Sequence, residues 1–188
     1  MDKIIVFDVN ETLLNLEPIR TWFLARFGGE PDAGVWFGEL LRLSFVSAVT
    51  DRYVPFTELA GSALTTVSTR AGADATEQDR EAIANLFVEL PPHEDVSLGL
   101  ERLRSAGFSL AALTNSPQST AETQLGNAGI SEFFHHIMSV EMVHRFKPHA
   151  QVYMAAANEL GVDVSSLVMV AAHDWDIAGA LAAGAQGV

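Results

Sequence analysis

The side chains of this 188-residue chain that could do chemistry gather where apolar runs end. Asp8, Asn10 and Thr12 follow Ile4-Ile5-Val6-Phe7, and Thr114, Asn115 and Ser116 follow Leu110-Ala111-Ala112-Leu113. Lys147 stands in Phe146-Lys147-Pro148, and His173, Asp174 and Asp176 come after Leu167-Val168-Met169-Val170. Singly, each has an ordinary reading: Asp8 as a turn former, Asn115-Ser116-Pro117 as turn chemistry, Lys147 as a surface lysine, Asp174 as a helix cap. A carboxylate closing a buried strand is costly without partners, so the other reading of Asp8 is a reactive group held by donors and a cation. Jointly the four stretches supply an acid nucleophile, a hydroxyl and amide pair, a lysine and a second acid, the parts that covalent catalysis by a carboxylate needs.

These groups can meet only if the apolar runs are neighbouring strands with their carboxyl ends on one edge, where open α/β sheets place their ligands. The pattern predicts that. Residues 3–7 form a continuous, β-branched run of the kind buried on both faces of a parallel sheet. From His93 onward helix and strand alternate: a helix over 96–106, a strand over 108–113, a helix over 121–128, an extended piece over 137–140, a helix over 149–160, a strand over 167–172 and a helix over 177–183. Glycines at 107, 129, 161 and 184 mark the stops. This rhythm predicts a right-handed, doubly wound parallel sheet.

Between Leu14 and Pro91-Pro92 only helical spacing is found. A first helix carries Ile19, Trp22, Phe23 and Phe27 on one face, a second spans 34–49 and a third 56–67. A fourth starts at Thr76-Glu77-Gln78-Asp79, which reads as a capped end, and runs to Leu90. Helices with no strand among them predict a cap standing over the sheet edge. Residues 15–91 are therefore expected to form a cap domain, and 1–14 with 92–188 the core. The chain stops at Val188, where such a sheet usually continues, so a sheet edge to be covered, or a shortened chain, is expected there.

A formal net charge of -13 opposes nucleic acid and anionic membranes as partners, yet leaves open a small anionic substrate held by the local field of a cleft. Without cysteine there is no disulfide, thiolate metal site or cysteine nucleophile. Met1-Asp2-Lys3 runs directly into the first strand, leaving no room for a secretory leader, and no apolar run approaches the ~20 residues of a membrane-spanning helix. A cytoplasmic protein is expected. The adjacent His135-His136 lack zinc-type spacing, and no nucleophile-elbow sequence supports a serine triad.

With Phe7-Asp8-Val9-Asn10-Glu11-Thr12-Leu13, Leu113-Thr114-Asn115-Ser116-Pro117, Phe146-Lys147-Pro148 followed by Val152-Tyr153, and Ala172-His173-Asp174-Trp175-Asp176, the whole chain resembles the haloacid dehalogenase superfamily, and within it the type II L-2-haloacid dehalogenases. The resemblance implies a Rossmann-like core, a helical cap after the first strand, and a nucleophile at Asp8. It attacks the halogen-bearing carbon of a small 2-haloacid, and water then opens the resulting ester to a 2-hydroxy acid. It also implies a homodimer.

Phosphatases of the superfamily carry a second aspartate where this chain has Asn10, and an amide cannot protonate a leaving alkoxide. Their metal-binding acid four residues before Asp176 is here Ala172, removing an anionic oxygen that Mg²⁺ prefers. Both changes favour the metal-free branch, with no cofactor expected. In that branch Lys147 keeps Asp8 ionised. Asp176 orients or deprotonates the hydrolytic water, with His173 as helper or competitor. The backbone at Val9 and Asn10, with Thr12, Thr114 and Asn115, receives the substrate carboxylate, and Trp175 supplies an apolar wall.

Several positions depart from the pattern. The family's cap arginine falls near Gly38 or Glu39, with Arg42 about one helical turn beyond as its candidate replacement. The family's serine before the last motif is Ala171, and its asparagine is His173. Two other readings remain open on sequence alone: a Mg²⁺-dependent phosphatase using Asp174 and Asp176, and a catalytically weak protein that keeps the fold.

Overall fold

A computed structural model describes residues 3–188. Five parallel strands, β1 (Ile4–Phe7), β2 (Ser109–Thr114), β3 (His136–Ser139), β4 (Leu167–Val170) and β5 (Gln186–Gly187), lie in the order β3-β2-β1-β4-β5. β1 is central because its run is apolar on both faces, and Val6 and Leu110 to Leu113 are 1% exposed or less. Phe7 stands opposite both Ala112 and Val170. The residues that follow these three strands therefore leave the sheet at one edge, and the dispersed polar stretches become neighbours there.

β5 lies beyond the helices and strands predicted from the apolar pattern. Two residues after the Gly184 turn pair with Val168 and Met169 of β4, too short a run to show periodicity. Gly187 is the closer of the two to a packing constraint, since a Cβ there would meet Ile177 Cγ2 at 2.7 Å.

The helices α1 (Glu17–Phe27), α2 (Ala33–Thr50), α3 (Phe56–Arg70) and α4 (Glu77–Val88) all fall between β1 and β2 in the chain. They share an aromatic seam: Phe23 on Trp36 at 5.7 Å, Trp36 on Phe87 at 6.4 Å, and Phe87 on Phe56 at 6.4 Å. Each such ring buries enough apolar surface to contribute about 2–3 kcal/mol. Trp36 satisfies its indole N–H on the Ala60 carbonyl at 3.0 Å. α4 begins with the capping box read from Thr76 and Asp79, and Arg26 of α1 clamps the same Asp79 at 2.7 Å.

The chain enters and leaves this helical segment side by side. Asn15 N–H donates to the Pro91 carbonyl at 2.8 Å, His93 N–H to Leu13 at 3.0 Å, and Leu14 bridges Pro92 in antiparallel fashion. Beyond it, α5 (Val96–Ser105), α6 (Gln118–Asn127), α7 (Ala150–Glu159) and α8 (Asp174–Ala182) alternate with the remaining strands. α8 starts three residues earlier than its apolar period suggests. Asp174, Trp175 and Asp176 therefore occupy its first turn, where acids suit the positive end of the helix dipole. Among the described residues no helix is long and apolar enough to cross a membrane.

Candidate active site

Asp8, the first residue after β1, is 5% exposed, and Lys147 and Asp176 are completely buried. The Lys147 ammonium donates to Asp8 Oδ1 at 2.7 Å, to Asp176 Oδ2 at 2.7 Å and to the Leu113 carbonyl at 2.9 Å, so all three of its N–H donors are used. Phe146 delivers it there, wholly buried against Tyr53 at 5.2 Å and Phe56 at 5.8 Å from the helical segment. The Asn115 side-chain oxygen holds the Lys147 backbone N–H at 3.0 Å.

Charge is unequally shared in this triad. Burial pushes the Asp8 carboxyl up, but the Lys147 charge and the hydrogen bonds from His173 and Lys147 outweigh it and hold Asp8 well below the usual carboxylate range. Asp176 moves the opposite way: burial raises it, Lys147 offsets only part of that, and the negative charge of Asp8 adds to the rise. Burial also works against the Lys147 charge, yet its two carboxylate neighbours win and push it up. Asp8 is thus the acid kept ionised, as a nucleophile must be.

The other residues singled out in the sequence take distinct places. Thr12 donates to Asp8 Oδ2 at 2.8 Å and accepts the Ala172 N–H at 3.0 Å, orienting the carboxylate and tying β1 to the β4 end. His173 bridges Asp8 Oδ2 at 3.2 Å and Glu11 Oε2 at 3.0 Å, and is pushed up to about 9: burial opposes its charge, but the hydrogen bonds and charges of these two acids prevail. Trp175 stacks on His173 with ring centres 5.0 Å apart and meets Phe45 of α2, so it walls the cluster on the α2 side. The N–H groups of Val9 and Asn10 find no acceptor among the described residues and are free for an anionic ligand. Thr114 is buried beside them, with its hydroxyl oxygen accepting the Ser116 N–H at 3.1 Å.

Asn10 and Arg42 both spend their side chains away from Asp8, which counts against the role expected of Arg42. The Asn10 amide is engaged between Ser116 at 3.2 Å and Gln124 at 3.1 Å, so it braces the first loop against α6 and offers substrate only its backbone. Arg42 forks onto Glu39 with two 2.8 Å bonds and is 54% exposed in its side chain; its hydrogen bonds go to its own helix rather than to any group around Asp8. A local pair three residues apart on one helix costs less ordering than a reach across to the sheet.

Two residues of the site were not singled out. Tyr153 donates to Asp176 Oδ1 at 2.6 Å, saturating the carboxylate that Lys147 holds on the other side. Its place six residues after Lys147, on the inner face of α7, was the available signal. Glu11 is the second partner of His173, and its loop position gave no signal. Gly179 of α8 permits the approach to Tyr153: a Cβ there would lie 2.6 Å from the Pro148 carbonyl and 2.7 Å from the Tyr153 hydroxyl. Gly179→Ala is therefore expected to destabilise the fold by about 1–3 kcal/mol in urea titration and to slow catalysis as Tyr153 is displaced.

A divalent cation fits poorly here. It would have to share the space between Asp8 and Asp176 with the Lys147 ammonium, and Ala172 offers no carboxylate in place of the missing ligand. An open groove of about 870 Å³ between α3 and α4 contains none of the clustered residues.

A parallel sheet with an ionised aspartate at the end of its central strand, balanced by a buried lysine, defines a hydrolase that works through a covalent aspartyl intermediate. Residues 3–184 match the family of haloacid dehalogenase-like hydrolases, and the chain belongs to that family. It is 31% identical over 183 residues to (S)-2-haloacid dehalogenase 2 of Pseudomonas sp. (strain CBS-3), covering 94% of this chain and 78% of that protein. It is 28% identical over 180 residues to the (S)-2-haloacid dehalogenase of Pseudomonas sp. (strain YL), covering 95% and 78%. The L-2-haloacid dehalogenase of Xanthobacter autotrophicus, solved with chloropropionic acid covalently bound, superposes with a TM-score of 0.91 at 25% identity, covering all of this chain and 76% of that one.

Proposed function

We propose that this protein hydrolyses the carbon–halogen bond of a short 2-haloalkanoic acid, giving the 2-hydroxy acid through an ester on Asp8. The observation that carries this reading is the Lys147 ammonium 2.7 Å from both Asp8 and Asp176. It offsets one of the two neighbouring acid charges with a fixed cation, and leaves Asp8 ionised for attack at carbon. An oxygen of Asp8 displaces halide from C2; the new carbon–oxygen bond forms as the carbon–halogen bond breaks. Binding of the substrate carboxylate by the free N–H groups of Val9 and Asn10, with Thr114 and Asn115 beside them, would set C2 in line. Water then adds to the Asp8 carbonyl carbon, next to Asp176 and His173.

Metal-free chemistry is part of the same reading, as is the division into a cap of 15–91 over a core of 1–14 and 92–188. So is action in the cytoplasm as a homodimer on a small anionic acid. The test is halide release from (S)-2-chloropropionate with and without a chelator. Equal release in both supports the reading. Loss of activity in the chelator, or release of phosphate from phosphoesters in its place, would refute it.

A further inference from the structure

Asp176, the acid expected to activate water, is enclosed: Lys147 holds one oxygen at 2.7 Å, Tyr153 holds the other at 2.6 Å, and no part of the residue is exposed to bulk water. His173 differs on each count. Its side chain is 14% exposed, its Nδ1 points at Asp8 Oδ2 from 3.2 Å, and its Nε2 is anchored by Glu11 at 3.0 Å. The ring is clamped between Phe37 and Trp175, at 6.1 and 5.0 Å, so it cannot swing away from this line.

Glu11 is held in place at a cost. Its φ of 63° lies in the left-handed region, which a glutamate adopts only against steric resistance of about 1 kcal/mol. That conformation lets Glu11 N–H reach the Leu14 carbonyl while its own carbonyl meets His93 Nε2 at 3.3 Å. The carboxylate is left facing His173, with Arg20 of α1 3.6 Å away on the outer side. A strained, charged residue that fixes the far nitrogen of an imidazole is the usual support of a histidine base.

Resting on the dehalogenase reading, we infer that His173, oriented by Glu11, is the base that activates water against the Asp8 ester. The charges facing His173 are Asp8 at the end of β1 and Glu11 from the loop after it, with Lys147 and Arg20 behind these two acids. Phe37 of α2 brings none. While Asp8 is a carboxylate these charges keep His173 an imidazolium. Alkylation removes the charge of Asp8, one of the two acids that support the imidazolium, and the Nδ1 proton is shed to solvent at the partly exposed ring. Neutral His173 then keeps its N–H toward Glu11 and turns a lone pair toward the ester.

The step balances. Water oxygen bonds to Asp8 Cγ and gives one proton to His173 Nδ1. The Cγ–O bond to the substrate breaks, and the leaving alkoxide takes that proton to become the 2-hydroxy acid. Asp8 is left as a carboxylic acid, whose proton passes to His173 and restores the resting pair. The net products are hydroxy acid, halide and the proton shed earlier.

The two halves of the reaction separate this role from the parent reading. In rapid mixing with 2-chloropropionate, His173→Phe, which keeps a ring between Phe37 and Trp175 but no base, is expected to keep a halide burst of one per site, while ester hydrolysis falls by about 10²–10⁴-fold and alkylated Asp8 accumulates in the mass spectrum. Glu11→Gln, which leaves the ring its acceptor but not the charge, is expected to move the ascending limb of the hydrolysis rate about one pH unit lower. An unmoved limb, unchanged ester hydrolysis in His173→Phe, or loss of its burst along with turnover would overturn the assignment. Failure of the unaltered chain to release halide at all would instead refute the dehalogenase reading on which it rests.

Discussion

Asp8→Ala is expected to abolish halide release, by on the order of 10⁴-fold or more, with little loss of stability. No other group on this sheet edge can replace it. Asp176 is fully buried and saturated, Asp174 is exposed and turned into its own helix turn, and Glu11 is committed to His173. Removing the Asp8 carboxyl forfeits its own pairing but leaves the Lys147 ammonium balanced by Asp176, so no buried charge is left alone. Urea titration should therefore show near-native stability while the activity assay shows none. Incubation with 2-chloropropionate should add the mass of a propionate ester to residue 8 of the native chain, trapped by acid quench, and nothing to the variant. An added mass elsewhere, or residual turnover within tenfold of native, would remove Asp8 from the mechanism.

Lys147→Met should be as damaging to activity and, unlike the first change, should also damage the fold. The methionine fills much the same volume, so the loss is one of charge. Two buried carboxylates are left facing each other without a counter-ion, which costs about 3–5 kcal/mol when one partner of a buried pair is removed. The sign of the pH effect follows from the charges. In the native chain Asp8 is depressed, so its pairing stabilises the fold above the ordinary carboxylate range and is lost only as pH falls through the lower, folded value. In the variant at least one acid is raised instead. Its destabilisation is then greatest at neutral pH and shrinks as pH falls and the acid takes up a proton. The gap in urea midpoint between the native chain and Lys147→Met should therefore be wide at pH 7 and narrower at pH 5, and the absence of a gap at either pH would make Lys147 a surface residue.

Much of this architecture was legible because it rests on short-range rules. Apolar runs ending in polar residues marked the strands, and helical spacing from Ile19 to Leu90 marked the inserted segment, down to the Thr76–Asp79 cap. Asp8, Lys147 and Asp176 could be grouped because a parallel sheet brings consecutive strand ends to one edge whatever lies between them. The misses share a different origin. Glu11 meets His173 across 162 residues through a left-handed backbone turn that no side-chain pattern announces. Tyr153 sits on a helix face whose period marks it equally well as core. Arg42 was assigned by helical arithmetic across the cleft, and a nearer acid on its own helix captured it. Local grammar places elements well; competition between near and distant partners for one polar group is settled only in three dimensions.

The backbone pairing of residues 13–15 with 91–93 bears on how the chain can vary as well as on how it folds. Entry and exit are laced together by backbone hydrogen bonds, which ask nothing of the side chains in between. The distance that the helical excursion must span is thus set at the doorway and stays the same however long the excursion grows, so closing a longer one adds only a small entropic penalty. A longer or shorter helical excursion can therefore be accommodated between these two points while the Asp8 carboxylate and its lysine stay where they are.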